Sequence, residues 1–158
     1  MEDINLKQVG IIENDGRKPC IKIEKKYIPG LIGLEGFSHL NIIWCFHKSR
    51  NNQFVNEMVL ESPYKKGPEI IGTFATRSPD RPNPLALSIA QVKKIDFDKG
   101  IINLWWIDAD SGSPVLDIKP YTPSADKVER PIVPEWCKHW PKNIEESANF
   151  VWEEEFNF

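Results

Sequence analysis

Apolar and polar positions alternate in short runs along most of this chain, a period of two that strands produce and helices do not. Cys20-Ile21-Lys22-Ile23-Glu24-Lys25 shows it most clearly and predicts a half-buried strand, broken by Tyr27-Ile28-Pro29-Gly30. Before it, Leu6, Val9, Ile11 and Ile12 predict a first strand within residues 5–14, stopped by the turn-forming Asn14-Asp15-Gly16. Residues 40–46 are β-branched, aromatic and nearly all apolar, the pattern of a strand covered on both faces. Further strands are predicted over residues 54–60, 70–76, 85–92 and 101–107, the last with Trp105 and Trp106 on opposite faces. Asp117 and Lys119 fall on one face of another.

Many short strands, with turn signals about every eight to twelve residues, predict a mainly β, single-domain, β-barrel-like fold. The character changes beyond about Tyr121, where Pro120, Pro123, Pro131, Pro134 and Pro141 punctuate the chain between Trp136, Trp140 and Trp152. Short helices are expected in this tail, one over residues 134–140 that begins with proline and another turn over 143–149. The end, residues 153–158, is expected to fray or to pack on a neighbour. The expected division is a barrel over residues 1–125 and an extension over 126–158 that packs on the barrel or on a dimer partner.

One connection is unusual. Residues 72–88 read GTFATRSPDRPNPLALS, with Pro79, Pro82 and Pro84 inside six residues. Each proline fixes its own φ and drives the residue before it, here Ser78, Arg81 and Asn83, out of the helical region. The loop is therefore stiff before any ligand arrives. A simple hairpin needs only a short turn with glycine or asparagine, so a rigid loop carrying two arginines and an asparagine is a candidate site.

Composition narrows the classes. The chain has 158 residues, 41% hydrophobic and 27% charged, which suits one globular domain with a real core. Its net charge of -3 argues against wholesale nucleic-acid affinity, though not against a local basic patch. Cys20, Cys45 and Cys137 are odd in number and lie far apart, so reduced thiols are expected rather than a disulfide framework or a zinc site. Met1-Glu2-Asp3-Ile4 has no signal-peptide pattern and no apolar run approaches a membrane span, so the expected location is cytoplasmic. No phosphate loop, GxSxG elbow, HExxH or GxGxxG occurs. His39 and His47 are eight residues apart without a third ligand, and no metal is expected.

Two polar stretches remain open on residue chemistry alone. Asp108-Ala109-Asp110-Ser111-Gly112-Ser113 is either a plain turn or a ligand turn with carboxylates beside a glycine. Asp117 and Lys119 are either a surface ion pair of little energetic worth or part of a site anchored by Pro120 and Tyr121.

Three blocks carry a resemblance: Gly33-Leu34-Glu35-Gly36-Phe37-Ser38-His39-Leu40; Ala75-Thr76-Arg77-Ser78 with Arg81-Pro82-Asn83-Pro84; and Pro114-Val115-Leu116-Asp117-Ile118-Lys119-Pro120-Tyr121. In this order they resemble a family of small β-barrel methyltransferases that use S-adenosylmethionine. Its characterised members methylate N6-threonylcarbamoyladenosine in the tRNA anticodon loop. The resemblance implies S-adenosyl-L-methionine as cofactor, tRNA as partner and a homodimer with the cofactor close to its interface. It implies cofactor contacts at His47, Lys48, Arg77, Leu87, Asp108, Asp110, Ser111, Gly112 and Ser113. Arg77 would supply a fork for the cofactor's carboxylate. Arg81 and Asn83 would meet the substrate, and Asp117, Lys119 and Tyr121 would carry the chemistry.

This chain also departs from the family pattern. Lys48 stands where glutamine is common, Ala86 where glycine is usual, and residues 14–19 lack an early Pro-Arg-Gln segment. It resembles the compact form without the additional C-terminal domain of bacterial members. A same-fold enzyme acting on a small molecule and a non-catalytic cofactor sensor are the alternatives. A basic stripe of Lys25, Lys26, Arg50, Lys65 and Lys66 beside the pocket would favour RNA.

Overall fold

The computed structural model describes residues 4–49 and 57–157. Six strands close on themselves: β1 (Gly10–Glu13), β2 (Cys20–Ile23), β3 (His39–Cys45), β6 (Leu85–Asp96), β7 (Ile101–Leu104) and β8 (Pro114–Pro120). Their order around the ring is β1-β2-β7-β6-β3-β8, and β8 returns to β1 through Gly10 opposite Val115. Every pairing is antiparallel. A hairpin of β4 (Val59–Glu61) and β5 (Ile70–Gly72) stands apart from the ring.

Alternation decides what fills the barrel. Ile12 faces Ile21, Ile21 faces Ile102 and Ile102 faces Ile95, so a row of isoleucines crosses four strands on the inner face. Ile12, Ile21 and Ile102 are fully buried, and Leu40, Ile42, Trp44 and Val115 continue the core. β3 is the strand covered on both faces, as its apolar run predicts: Leu40, Ile42 and Trp44 point inward while Asn41 and Cys45 are buried on the other side. Gly10 has its own reason, because a Cβ there would meet the Lys22 carbonyl oxygen at 2.6 Å.

Several sequence expectations need correction. The break after β2 is a 3-10 helix, Lys25–Leu31, whose Leu31 is buried against the core. β6 runs on to Asp96, because its second half pairs with β7. β7 stops at Leu104, so Trp105 and Trp106 lie beyond the ladder and are both exposed rather than divided between two faces. β5 gives way at Thr73 to a 3-10 turn, Thr73–Ala75. Of the strand expected over residues 54–60, the first three residues lie outside the described ones, and β4 begins at Val59.

The tail has one helix that its prolines did not suggest, α1 (Pro123–Asp126). A 3-10 turn, Glu135–Cys137, follows, then α2 (Ile144–Ser147), capped by the Asn143 side chain accepting from the Glu146 N–H at 2.8 Å. Up to Asn157 the end is tied down rather than frayed. Tyr64 and Phe156 form a β-bridge, the Lys65 N–H donates to the Glu155 carbonyl at 2.9 Å, and Asn157 donates to the carbonyls of Ser62 and Pro63. Tyr64 stacks on Trp136, and the cluster continues through Trp140, Trp152, Phe150 and Phe156.

Candidate functional site

Antiparallel pairing sets the C-terminal end of β3 beside the starts of both β6 and β8. Cys45 faces Leu85 and Trp44 faces Ala86 on one side; Trp44 faces Val115 on the other, after a bulge that leaves Leu116 unpaired with β3. Three connections therefore converge on one mouth of the barrel: residues 46–49, the proline loop before β6 and the turn before β8. A cleft of about 970 Å³ opens there. Its barrel wall includes Trp44, Phe46, Arg77, Leu87, Trp106 and Asp108. A smaller recess of about 330 Å³ adjoins it through the shared residues Trp44, Phe46, Trp106 and Asp108, and is also lined by Asn14 and Asp110.

The proline loop is stiffened by its own arginine. Arg81 donates through Nε to the Ser78 carbonyl and through a terminal nitrogen to the Thr76 carbonyl, both at 2.7 Å. Arg81 lines the cleft but spends its fork on the loop, which fits a positioning role better than the expected substrate contact. Arg77 commits one terminal nitrogen to the Leu87 carbonyl at 3.1 Å, and its side chain is exposed at the cleft. A guanidinium has five N–H donors in a fixed fork, so most of its capacity is left for a carboxylate or phosphate. Asn83 is exposed in the same loop and does not line the cleft; its carbonyl accepts from the Leu85 N–H.

The turn over residues 108–113 is held from both sides. The Gly112 N–H donates to the Ile12 carbonyl at 2.8 Å, and the Ile12 N–H donates to the Ser113 carbonyl at 2.9 Å. Gly112 has φ +91°, a backbone conformation that favours glycine, and it lies beside the His47 imidazole. His47 Nδ1 and the buried Ser113 hydroxyl share a hydrogen bond of 3.2 Å. Lys48 pairs with Asp110 at 2.8 Å, and Ser111 Oγ accepts from the Asn14 N–H. His47, Lys48, Asp110, Ser111, Gly112 and Ser113 thus come together around one turn, with Asp108 on the cleft side of it.

Asp117, Lys119 and Tyr121 are strung along β8 instead. None of them lines the cleft. Asp117 faces Ile43 and Ile43 faces Leu87, so Asp117 lies two strands from the cleft edge, about 10 Å at ordinary strand spacing. Its carboxylate pairs with Lys119 at 2.7 Å and accepts from the Ile118 N–H. The hydrogen bond and charge of Asp117 raise the Lys119 pKa above its ordinary value. Tyr121 sits beside His39, at the far end of β3. His39 and His47 thus occupy opposite ends of β3, and no cluster of metal-ligating side chains occurs among the described residues. Arg50 lies outside those residues; Lys65 and Lys66 reach Glu153 and Glu155 of the tail.

Sequence reasoning missed three contributors. Asn14, read as a turn signal, bridges the Ile107 and Ala109 carbonyls and lines the recess. Trp44, read as core, donates its indole N–H to Ser88 Oγ at 2.9 Å and forms the cleft floor with Phe46. The opposite wall comes from the tail, through Ile144, Ser147, Ala148, Phe150, Trp152 and Phe156. The only advance signal for it was the density of tryptophan among prolines.

A small closed antiparallel barrel, with a stiff arginine loop and a glycine turn meeting at its mouth, defines a class of ligand-binding β-barrel domain. Within that class the chain belongs to the tRNA-methyltransferase O N-terminal domain family, which it matches over residues 8–127. It is 37% identical over 121 residues to a human tRNA (adenine(37)-N6)-methyltransferase, an alignment that covers 74% of this chain and 26% of the relative. A probable S-adenosyl-L-methionine-binding protein of Pyrococcus abyssi is 35% identical over 106 residues, 67% of this chain and 53% of the relative. The crystal structure of TrmO from Pseudomonas aeruginosa superposes with a TM-score of 0.64 at 25% identity, covering 83% of this chain and 61% of that one. The chain therefore spans about a quarter to a half of the curated relatives' length.

Proposed function

We propose that this protein is an S-adenosylmethionine-dependent methyltransferase acting on N6 of threonylcarbamoyladenosine in the tRNA anticodon loop. Membership of the family and the names of its relatives support the reaction class. The observation that carries the reading is the meeting of Arg77, Leu87 and Asp108 on one cleft whose floor is aromatic. That donor set suits the cofactor: a guanidinium for its carboxylate, carboxylates for its ribose diol or amine, and apolar walls for its adenine. When bound, the cofactor supplies an electrophilic methyl group.

The chain's own residues do the rest. Arg81 and the three prolines keep the Arg77 loop in place, so little ordering remains for binding. Phe46, Leu87 and Trp106 give the cleft an apolar surface. Asp117 accepts the proton or a hydrogen bond from the acceptor nitrogen, whose urea-like N–H is otherwise a poor nucleophile, and Lys119 orients that carboxylate. Because both lie two strands from the cleft edge of their own chain, they serve the cleft of a second copy. Tyr121, just beyond β8 and at the far end of β3, depends on the second copy in the same way. A cytoplasmic twofold dimer fits the exposed Phe74, Leu87 and Trp105 near the mouth. Residues 1–125 then form the catalytic barrel and 126–158 an extension that completes the cleft. The described residues contain no helix long and apolar enough to cross a membrane.

A small-molecule acceptor is the second reading, favoured by the tail wall and by Lys65 and Lys66 being engaged with the tail. Mass spectrometry of nucleosides from tRNA incubated with the protein and labelled cofactor separates the two. Label on the modified adenosine is expected; transfer to no nucleoside while the cofactor still binds would leave the small molecule.

A further inference from the structure

The wall of the cleft that faces the barrel begins beyond residue 127, where the family match ends. Trp152 is its largest ring on the cleft, and Trp106 lies on the barrel side of the same cleft. The two differ in how they are held. Trp152 is half-buried among rings, with centroids 5.4 Å from Trp140, 4.9 Å from Phe150 and 6.1 Å from Phe156, and its indole donates to Ser147 Oγ. Trp106 is 69% exposed, touches no other ring among the described residues, and lines both the cleft and its recess.

An exposed indole at the junction of two cavities gains little from the fold itself. Its neighbour Trp105 at least carries the Lys93 ammonium over its ring at 4.7 Å. Large planar side chains placed this way suit a planar ligand, because each face offers dispersion contact and a polarised π-system at low conformational cost. The cleft's other groups limit which plane fits. Arg77 and Asp108 flank it with one cation and one carboxylate, as a polar molecule carrying an apolar heteroaromatic ring requires.

We propose that Trp106 and Trp152 form a clamp for an adenine ring, with Trp106 the adaptable jaw and Trp152 the fixed one. This rests on the reading of the cleft as a methyltransferase site. Adenine is common to the cofactor and to the target nucleoside, and the two sources leave different kinetic marks.

The test uses the full chain with Trp106→Ala, Trp106→Phe and Trp152→Phe. The exposed Trp106 can be removed without loss of fold, so its melting temperature should stay at that of the parent, and Trp152→Phe keeps a ring in the tail cluster. If the ring is the cofactor's, Trp106→Ala should weaken S-adenosyl-L-methionine binding about tenfold, and Trp106→Phe should restore most of it. If it is the target's, cofactor binding should hold while KM for tRNA rises about tenfold at unchanged kcat. Trp152→Phe should show a smaller effect of the same kind. Cofactor affinity and tRNA KM both unchanged in Trp106→Ala would overturn the clamp alone. No cofactor binding by the parent protein would overturn the methyltransferase reading and the clamp with it.

Discussion

The two walls of the cleft are held by different means. On the barrel side the strand residues of the wall are fixed by main-chain ladders: Leu87 by Ile43, Ala86 by Trp44. On the tail side the described main chain offers a single β-bridge, Tyr64 to Phe156, and the wall stands on stacked rings and one carboxylate. That carboxylate is Glu155, whose side chain is 6% exposed. It accepts from His139 Nε2 at 2.8 Å and from the Trp140 indole at 3.2 Å, and it pairs with Lys66 at 3.5 Å. The difference separates two kinds of failure. A barrel-side substitution can remove chemistry and leave the wall in place, whereas a tail-side substitution removes chemistry by moving the wall.

Asp117→Asn should give the largest effect and the cleanest barrel-side failure. It keeps the shape and removes the charge, so turnover should fall by about 10²–10⁴-fold if Asp117 is the positioned acceptor. Cofactor affinity and melting temperature should hardly move, because an exposed ion pair contributes little to stability. Single-turnover methylation measured beside binding decides it; full turnover would reduce Asp117 to a surface partner of Lys119.

Next in size is Ile42→Ala, at a fully buried inward position of β3. Deleting that side chain should cost about 2–5 kcal/mol of global stability. Chemical denaturation should then show both walls lost in one transition, as the tail has nothing to dock on without the barrel. Two separate transitions would show that the tail assembly holds by itself.

Glu155→Gln should be smaller and confined to one side. Limited proteolysis should cut sooner beyond Lys138 while the barrel's melting temperature stays close to that of the parent. Acid should mimic it. Burial pushes the Glu155 pKa up, but the hydrogen bonds from His139 and Trp140 and the Lys66 charge outweigh it and hold the carboxyl below its ordinary 4.5. A lowered folded-state pKa means stabilisation present above the ordinary value and lost as pH falls through the lowered one. Tryptophan fluorescence of the tail should therefore hold down to about pH 5 and change below about 4.5. A tail that releases at higher pH, or a Gln variant with the parent's cleavage rate, would remove Glu155 as its anchor.

The same division explains what could be read in the sequence. Period-two patterning reports which residues face a core, so β1, β2, β3 and β6 were legible, as was the two-sided burial of β3. The stiff loop and the glycine turn were legible because proline and glycine act locally. Neither rule reports where a ladder stops, and Trp105 and Trp106 went astray for that reason: β2 begins at Cys20, opposite Asn103, so β7 loses that partner and ends at Leu104 although β6 runs on to Leu85. Nor does local chemistry say which loops share an end of a barrel. Asp117 and Tyr121, four residues apart, lie near opposite ends of β3. The tail wall was illegible because side chains far apart in sequence build it, Tyr64 with Trp136 and Lys66 with Glu155.

The central claim is that the barrel mouth grips S-adenosylmethionine through Arg77, and titration calorimetry on the purified chain tests it most directly. The account predicts binding in the micromolar range, about -8 kcal/mol. It also predicts a loss of about 1.5–3 kcal/mol in Arg77→Ala, the worth of hydrogen bonds to a charged group. Undetectable binding by the unmutated protein, or equal affinity in Arg77→Ala, would contradict it.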